Sequence, residues 1–196
     1  MLPEVRLTEV SMEDVKRIAE WLGDEEVNAS WYGTSEQGEP YHIGYSPRQM
    51  LEATPSEWNE VFSNEPRKFF SVLNAEGEHI GEGQIVIEAP LWEAQLFILI
   101  GRKDLWYRGY GTSGLIQLLD LAFHTYGLHR AWVDIPEYNL PAIHMCDRIG
   151  FILEGRLRGT HPKNGKWYDS MAMGLLSSEY ARRRARLVEQ AEEPAV

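Results

Sequence analysis

Three glycines, Gly109, Gly111 and Gly114, fall within Asp104–Gly114, DLWYRGYGTSG, immediately before the apolar run Leu115–Phe123. No other feature constrains the chain as much. Backbone without side chains can turn at positive φ and lie close against a bound group. The helix that follows leaves the N–H groups of its first turn without partners inside the helix. Together these make a seat for an anion, a phosphate above all. The apolar strand Ala94–Ile100 comes before, separated from the first glycine by the polar stretch Gly101–Arg108.

The rest of the chain supplies the frame. Ser11-Met-Glu-Asp14 is a capping box opening a helix with Val15, Ile18, Ala19 and Leu22 on one face, ended by Gly23. Residues 28–45 are glycine-rich, aromatic and aperiodic, and predict a long loop. Ser46-Pro47 and Thr54-Pro55-Ser56-Glu57 signal two short helices. Strands are predicted at Val5–Leu7, Phe69–Leu73, Ile80–Ile87, Ala94–Ile100, Ala131–Ile135, Phe151–Arg158 and Trp167–Leu175, with hairpin turns at Asn74–Gly77 and Pro162–Gly165. Further helices are predicted at Leu115–Phe123 and Pro141–Ile149. The order implies an α/β (α+β) fold: a mixed, mostly antiparallel sheet flanked by helices, with one parallel β-α-β crossover between Ala94 and Ile135. At 196 residues and 43% hydrophobic, one domain over 1–180 is expected, followed by a charged helical tail over 181–196.

The glycine spacing is also that of a dinucleotide-binding loop, with Asp134 in the place of a ribose-binding carboxylate. Context opposes that reading. Such a loop follows its strand almost directly, whereas Gly101–Arg108 intervene here and the preceding strands form an antiparallel meander. Asp134 reads equally well as a strand-end residue.

Arg108-Gly-Tyr-Gly-Thr112 after a strand, followed by Asn139-Leu-Pro-Ala142…Cys146…Gly150-Phe151, resembles the GNAT family of N-acetyltransferases. The likeness extends over about residues 5–180. Leu7-Thr8, Asp14, Trp21-Leu22 and Gly165–Asp169 are similar to its ribosomal-protein N-terminal acetyltransferase branch. The resemblance implies acetyl-CoA as cofactor. Its pyrophosphate would rest on the backbone of Arg108, Gly109, Tyr110, Gly111 and Thr112. Its pantetheine arm would run beside Ile98, Leu99 and Ile100, and Asn139 would either bond that arm or simply cap its own helix. It also implies direct attack by a primary amine in a ternary complex. Two positions depart from the family pattern: Trp106 stands at the Gln/Arg position of the loop, and Cys146 where relatives keep a tyrosine acid. These motivate a second reading, a non-catalytic acyl-CoA-binding sensor.

Candidate bases are Glu93 and Glu82, each of which can also be a plain strand-edge carboxylate. Candidate acceptor contacts are Trp31, Tyr32, Tyr41 and His42 in the long loop and Tyr168 in the closing hairpin. The net charge of −11, of which −10 lies in residues 1–65, argues against nucleic acid and suits a cationic acceptor, such as a protein N-terminus, a polyamine or an aminoglycoside-like molecule. The only cysteine is Cys146, the histidines form no metal-binding pair, and no apolar run is long enough to span a bilayer. A cytoplasmic protein without a metal or membrane partner is therefore expected, with homodimerisation through strand edges left open.

Overall fold

The computed structural model describes residues 2–35 and 38–189. Seven strands form one sheet: β1 (Val5–Thr8), β2 (Arg67–Asn74), β3 (His79–Glu88), β4 (Glu93–Ile100), β5 (Arg130–Pro136), β6 (Ile152–Lys163) and β7 (Lys166–Leu176). Their spatial order is β1-β2-β3-β4-β5-β7-β6, and only β4 and β5 run parallel. The helix α5 (Tyr110–Asp120) and the wide turn Leu121–Thr125 make that crossover, as a parallel pair demands. At the β6–β7 hairpin Asn164 and Gly165 both adopt positive φ, 51° and 71°, the geometry that matches strand twist in a tight turn.

Helices cover both faces. On one, α1 (Met12–Leu22), α2 (Glu25–Ser30), α3 (Pro47–Met50) and α4 (Pro55–Phe62) lie over Phe69 and Leu99 through Val15, Ile18, Leu22, Val27 and Met50. On the other, α5, α6 (Leu140–Ile149) and α7 (Ser177–Glu189) enclose the larger core, with Leu115, Leu118, Leu119, Ile149 and Tyr180 against Ile85, Leu96, Val133 and Leu175. Ser11 and Asp14 form the expected reciprocal cap, as do Thr54 and Glu57.

One element differs from expectation. Residues placed at the start of the long loop belong to α2, capped by Asp24; its EEVNAS buries only Val27 and Asn28, too few for a readable period. The charged C-terminal segment is helical as far as Glu189, and its start is anchored: Tyr180 is fully buried and donates to Asp120 Oδ1 at 2.8 Å, and Arg184 holds the same carboxylate. The remaining tail, 190–196, lies outside the described residues. No described helix is long and apolar enough to cross a membrane.

Beneath α1 sits a polar knot. Asp14 accepts from Ser11 and from Ser71 Oγ (2.9 Å), and its Oδ1 lies 3.3 Å from His79 Nδ1. Burial alone would raise the Asp14 carboxyl, but these hydrogen bonds and the adjacent His79 outweigh it and hold it below its ordinary value. Burial pushes His79 down, with Asp14 opposing. Both shifts have the same consequence. Below about pH 6.5 the unfolded chain protonates His79 before the folded one does, so stability falls; below about pH 4 the unfolded Asp14 protonates first, and stability falls further. The urea midpoint should therefore be lower at about pH 5 than at about pH 7.5, and His79→Gln should make that fall shallower. An equally steep fall in the variant would remove His79 from the account.

Candidate active site

β4 and β5 stay paired only at Glu93–Arg130, Ala94–Ala131 and Gln95–Trp132. Beyond these residues the strands splay, and the opening forms a groove of two adjoining cavities. The outer, ≈ 220 Å³, lies between Ile98–Ile100, Leu105–Tyr107, the loop residues Gly109, Gly111 and Thr112, and α6. The inner, ≈ 60 Å³, runs between Leu96–Ile98 and Val133–Pro136, floored by Met145 and Cys146. Trp31, Ile98, Asn139, Ala142 and Met145 wall both.

The outer cavity is suited to a phosphate-bearing ligand. Gly109 caps α5 in the left-handed region at φ 88°. The first helical bond is Ser113 N to Gly109 O at 2.9 Å, so the N–H groups of Tyr110, Gly111 and Thr112 precede the ladder. A Cβ on Gly111 would stand 3.3 Å from Met145 Sδ and 3.8 Å from Ile100 Cγ1, filling space on the cavity wall. The splayed edge of β4 offers backbone donors and acceptors to an extended, amide-bearing ligand. Trp106, off the family pattern, donates its indole N–H to Ile100 O at 2.7 Å and fastens the loop to the end of β4. Arg108 is exposed at the rim and Tyr110 packs toward Val72 and Ile80; neither lines the cavity. Asn139 lines it, but its amide is engaged in the fold: Oδ1 accepts from Ala142 N at 3.3 Å and Nδ2 donates to Ser30 O at 2.8 Å.

The structure brings neither expected base to the groove. Glu93 sits at the paired end of β4, held by Arg130 at 2.6 Å; five residues of strand, about 17 Å, separate it from Ile98. Glu82 is buried under the loop, where Tyr45 Oη and Gln84 Nε2 donate to it and His42 Nε2 lies 3.1 Å away. That cluster pins residues 42–45 to the sheet. His42 accordingly points away from the groove, and Tyr41 and Tyr168 do not line it either. Of the expected acceptor contacts, Trp31 and Tyr32 reach it. Burial pushes the Cys146 thiol up to about 12, so it is packed core and no thiolate.

What the sequence left unassigned is the inner wall. Asp134 is half-buried there, and its Oδ1 has no hydrogen-bond partner among the described residues; neither has Trp31 Nε1. His161 stacks on Tyr32 at 5.0 Å, and Tyr138 donates to Trp31 O at 3.1 Å. Lys163 Nζ lies 3.9 Å above the Tyr138 ring, so this aromatic wall already seats one ammonium group. Alternation along β5 was the available signal for Asp134: Ala131, Val133 and Ile135 face the core and leave it on the opposite side.

Comparison with known proteins bears on this geometry. The profile of the acetyltransferase (GNAT) domain matches residues 4–152. A spermidine N(1)-acetyltransferase of Vibrio cholerae is 23% identical over 137 residues, 70% of this chain and 79% of that protein. The N-acetyltransferase p20 of Bacillus licheniformis is 24% identical over 177 residues, 89% and 94% of the two chains. Among solved structures, the Vibrio cholerae spermidine N-acetyltransferase in complex with CoA and spermine superposes with a TM-score of 0.76 at 22% identity, over 90% of this chain and 98% of that one, a likeness of fold. With the family profile covering most of its length, the chain belongs to the GNAT acetyltransferases and is an acetyl-CoA-dependent N-acetyltransferase.

Proposed function

We propose that the protein acetylates a primary amine of a small polycation of the polyamine class, by direct attack in a ternary complex. The observation that carries this reading is the inner groove. Its one carboxylate, Asp134, and the aromatic walls of Trp31 and Tyr32 suit an ammonium group, which brings three donors and favours π faces. The acidic α2, with Glu25 and Glu26 exposed, runs directly into that wall at Ser30 and Trp31 and would draw a polycation in. Two of the relatives named above carry polyamine names, which supports a polyamine acceptor and leaves the ribosomal-protein branch without support.

In this reading the Tyr110–Thr112 backbone N–H groups would hold the pyrophosphate of acetyl-CoA, and Ile98–Ile100 its amides. When bound, the cofactor supplies an acetyl group on a thioester whose thiolate leaves readily. The chain contributes orientation, a dry inner cavity and a carboxylate beside the incoming amine. Thiol release should be followed with spermidine, spermine, an aminoglycoside, a peptide α-amine and a neutral primary amine. The polyamines are expected to give the highest kcat/KM, falling as salt rises. Turnover confined to the peptide or the neutral amine would overturn the acceptor class. Acetyl-CoA binding without turnover of any amine would favour the sensor reading.

A further inference from the structure

Resting on that reading, the inner groove raises a question of proton balance. An acceptor arrives as R–NH3+ and departs as R–NH–COCH3, so its nitrogen loses two protons. The nitrogen lone pair forms the N–C bond as the C–S bond breaks and its electron pair leaves on sulfur. One proton ends on that sulfur as the thiol, and the other must reach solvent from the inner groove.

The structure contains a route. Asp134 Oδ2 lies 3.9 Å from His161 Nε2, a gap of the kind that tightens when a charged substrate binds. His161 Nδ1 lies 3.0 Å from Thr160 Oγ1. Thr160 is exposed, and its hydroxyl also meets Ser170 Oγ at 2.8 Å. The position of His161 is unusual for its strand. Nearly every other residue of β6 is exposed or half-exposed, and His161 alone is buried. The cause is a bulge: Leu157 pairs with Ser170 and His161 with Tyr168, so β6 carries two extra residues against β7. Bulges re-aim side chains and gather at functional sites. Here the bulge turns the imidazole inward under Tyr32, whose ring lies nearly parallel to it at 9°.

We propose that Asp134 takes the proton of the acceptor ammonium and that His161 and the Thr160 hydroxyl pass it to solvent. Asp134 is the group that meets the substrate; His161 and Thr160 act through it. The ring of His161 is faced by Tyr32 from the segment after α2, by Asp134 from β5 and by Tyr168, its register partner on β7. Asp134 is the charged group among them. Burial lowers the imidazole's proton affinity below its ordinary value, with Asp134 opposing.

Asp134→Asn, His161→Gln and Thr160→Val should be compared with the wild type in kcat and its pH profile, and in an NMR titration of His161 without donor, using spermidine as the amine probe. Asp134→Asn is expected to lower kcat by about 100-fold or more. Thr160→Val, a change at an exposed position, should lower kcat less and displace the acid limb of the profile. In the titration, Asp134→Asn and spermidine should each move the His161 midpoint downward. Wild-type kcat and an unshifted profile in Asp134→Asn, or a His161 titration indifferent to both changes, would overturn the relay. Failure of the acetylation reading is separate: it shows as a wild type that turns over no amine.

Discussion

Gly109→Glu is expected to weaken acetyl-CoA binding by at least about 100-fold, which corresponds to roughly 2.7 kcal/mol. Three effects act together. Gly109 holds φ 88°, and a side chain in that region costs about 1–2 kcal/mol. A Cβ there would stand 3.0 Å from Pro3 Cδ and 3.1 Å from Leu2 Cδ2, so the N-terminal segment must give way. The new carboxylate would compete for the helix N–H groups and repel an incoming phosphate. Calorimetry with acetyl-CoA measures the loss, and Gly127→Glu is the control. Gly127 has φ 64°, and a Cβ added there would meet nothing within 4 Å, so it carries the same backbone strain far from the loop. The control should keep its binding while losing some stability. Undiminished binding in Gly109→Glu would move the phosphate off this loop.

Tyr180→Ala should be the most destabilising of the single changes considered, by about 3–5 kcal/mol, as for other large aromatic truncations. Tyr180 is fully buried beside Phe123, and its hydroxyl meets Asp120 Oδ1 at 2.8 Å and Ile116 O at 3.3 Å. Truncation opens a cavity beneath α7 and leaves Asp120 to Arg184 alone. Tyr180→Phe keeps the ring and should cost only about 1–2 kcal/mol. Urea unfolding gives both values. Near-equal effects would mean that the hydroxyl and not the ring holds α7. A negligible effect of Tyr180→Ala would mean that α7 is dispensable to the fold.

The legible and illegible parts of the sequence divide by distance along the chain. The seven strands could be read because each begins as a short apolar run bounded by local turn residues, and the capped helices because Ser11–Asp14 and Thr54–Glu57 are complete within four residues. The glycine loop could be read for the same reason. The inner groove could not be read as a unit, since Trp31, Asp134 and His161 come from three separate segments, and the inward turn of His161 depends on a bulge that only strand pairing reveals. Glu93 misled because an acidic residue opening a strand carries no mark of its partner; the parallel register places Arg130 opposite it.

The splay between β4 and β5 also bears on the durability of the molecule. Three residue pairs are all that join the backbone ladders of the β1–β4 half to those of the β5–β7 half. The sheet therefore has a seam, and an occupant lying along it acts as a suture. Ligand that binds only the folded state adds RT ln(1 + [L]/Kd) to stability. Resistance to local opening along this seam, as amide hydrogen exchange or proteolysis would register it, thus becomes a function of how full the groove is. With acetyl-CoA seated in the groove as proposed, the rate at which the chain opens would report the supply of its own cofactor.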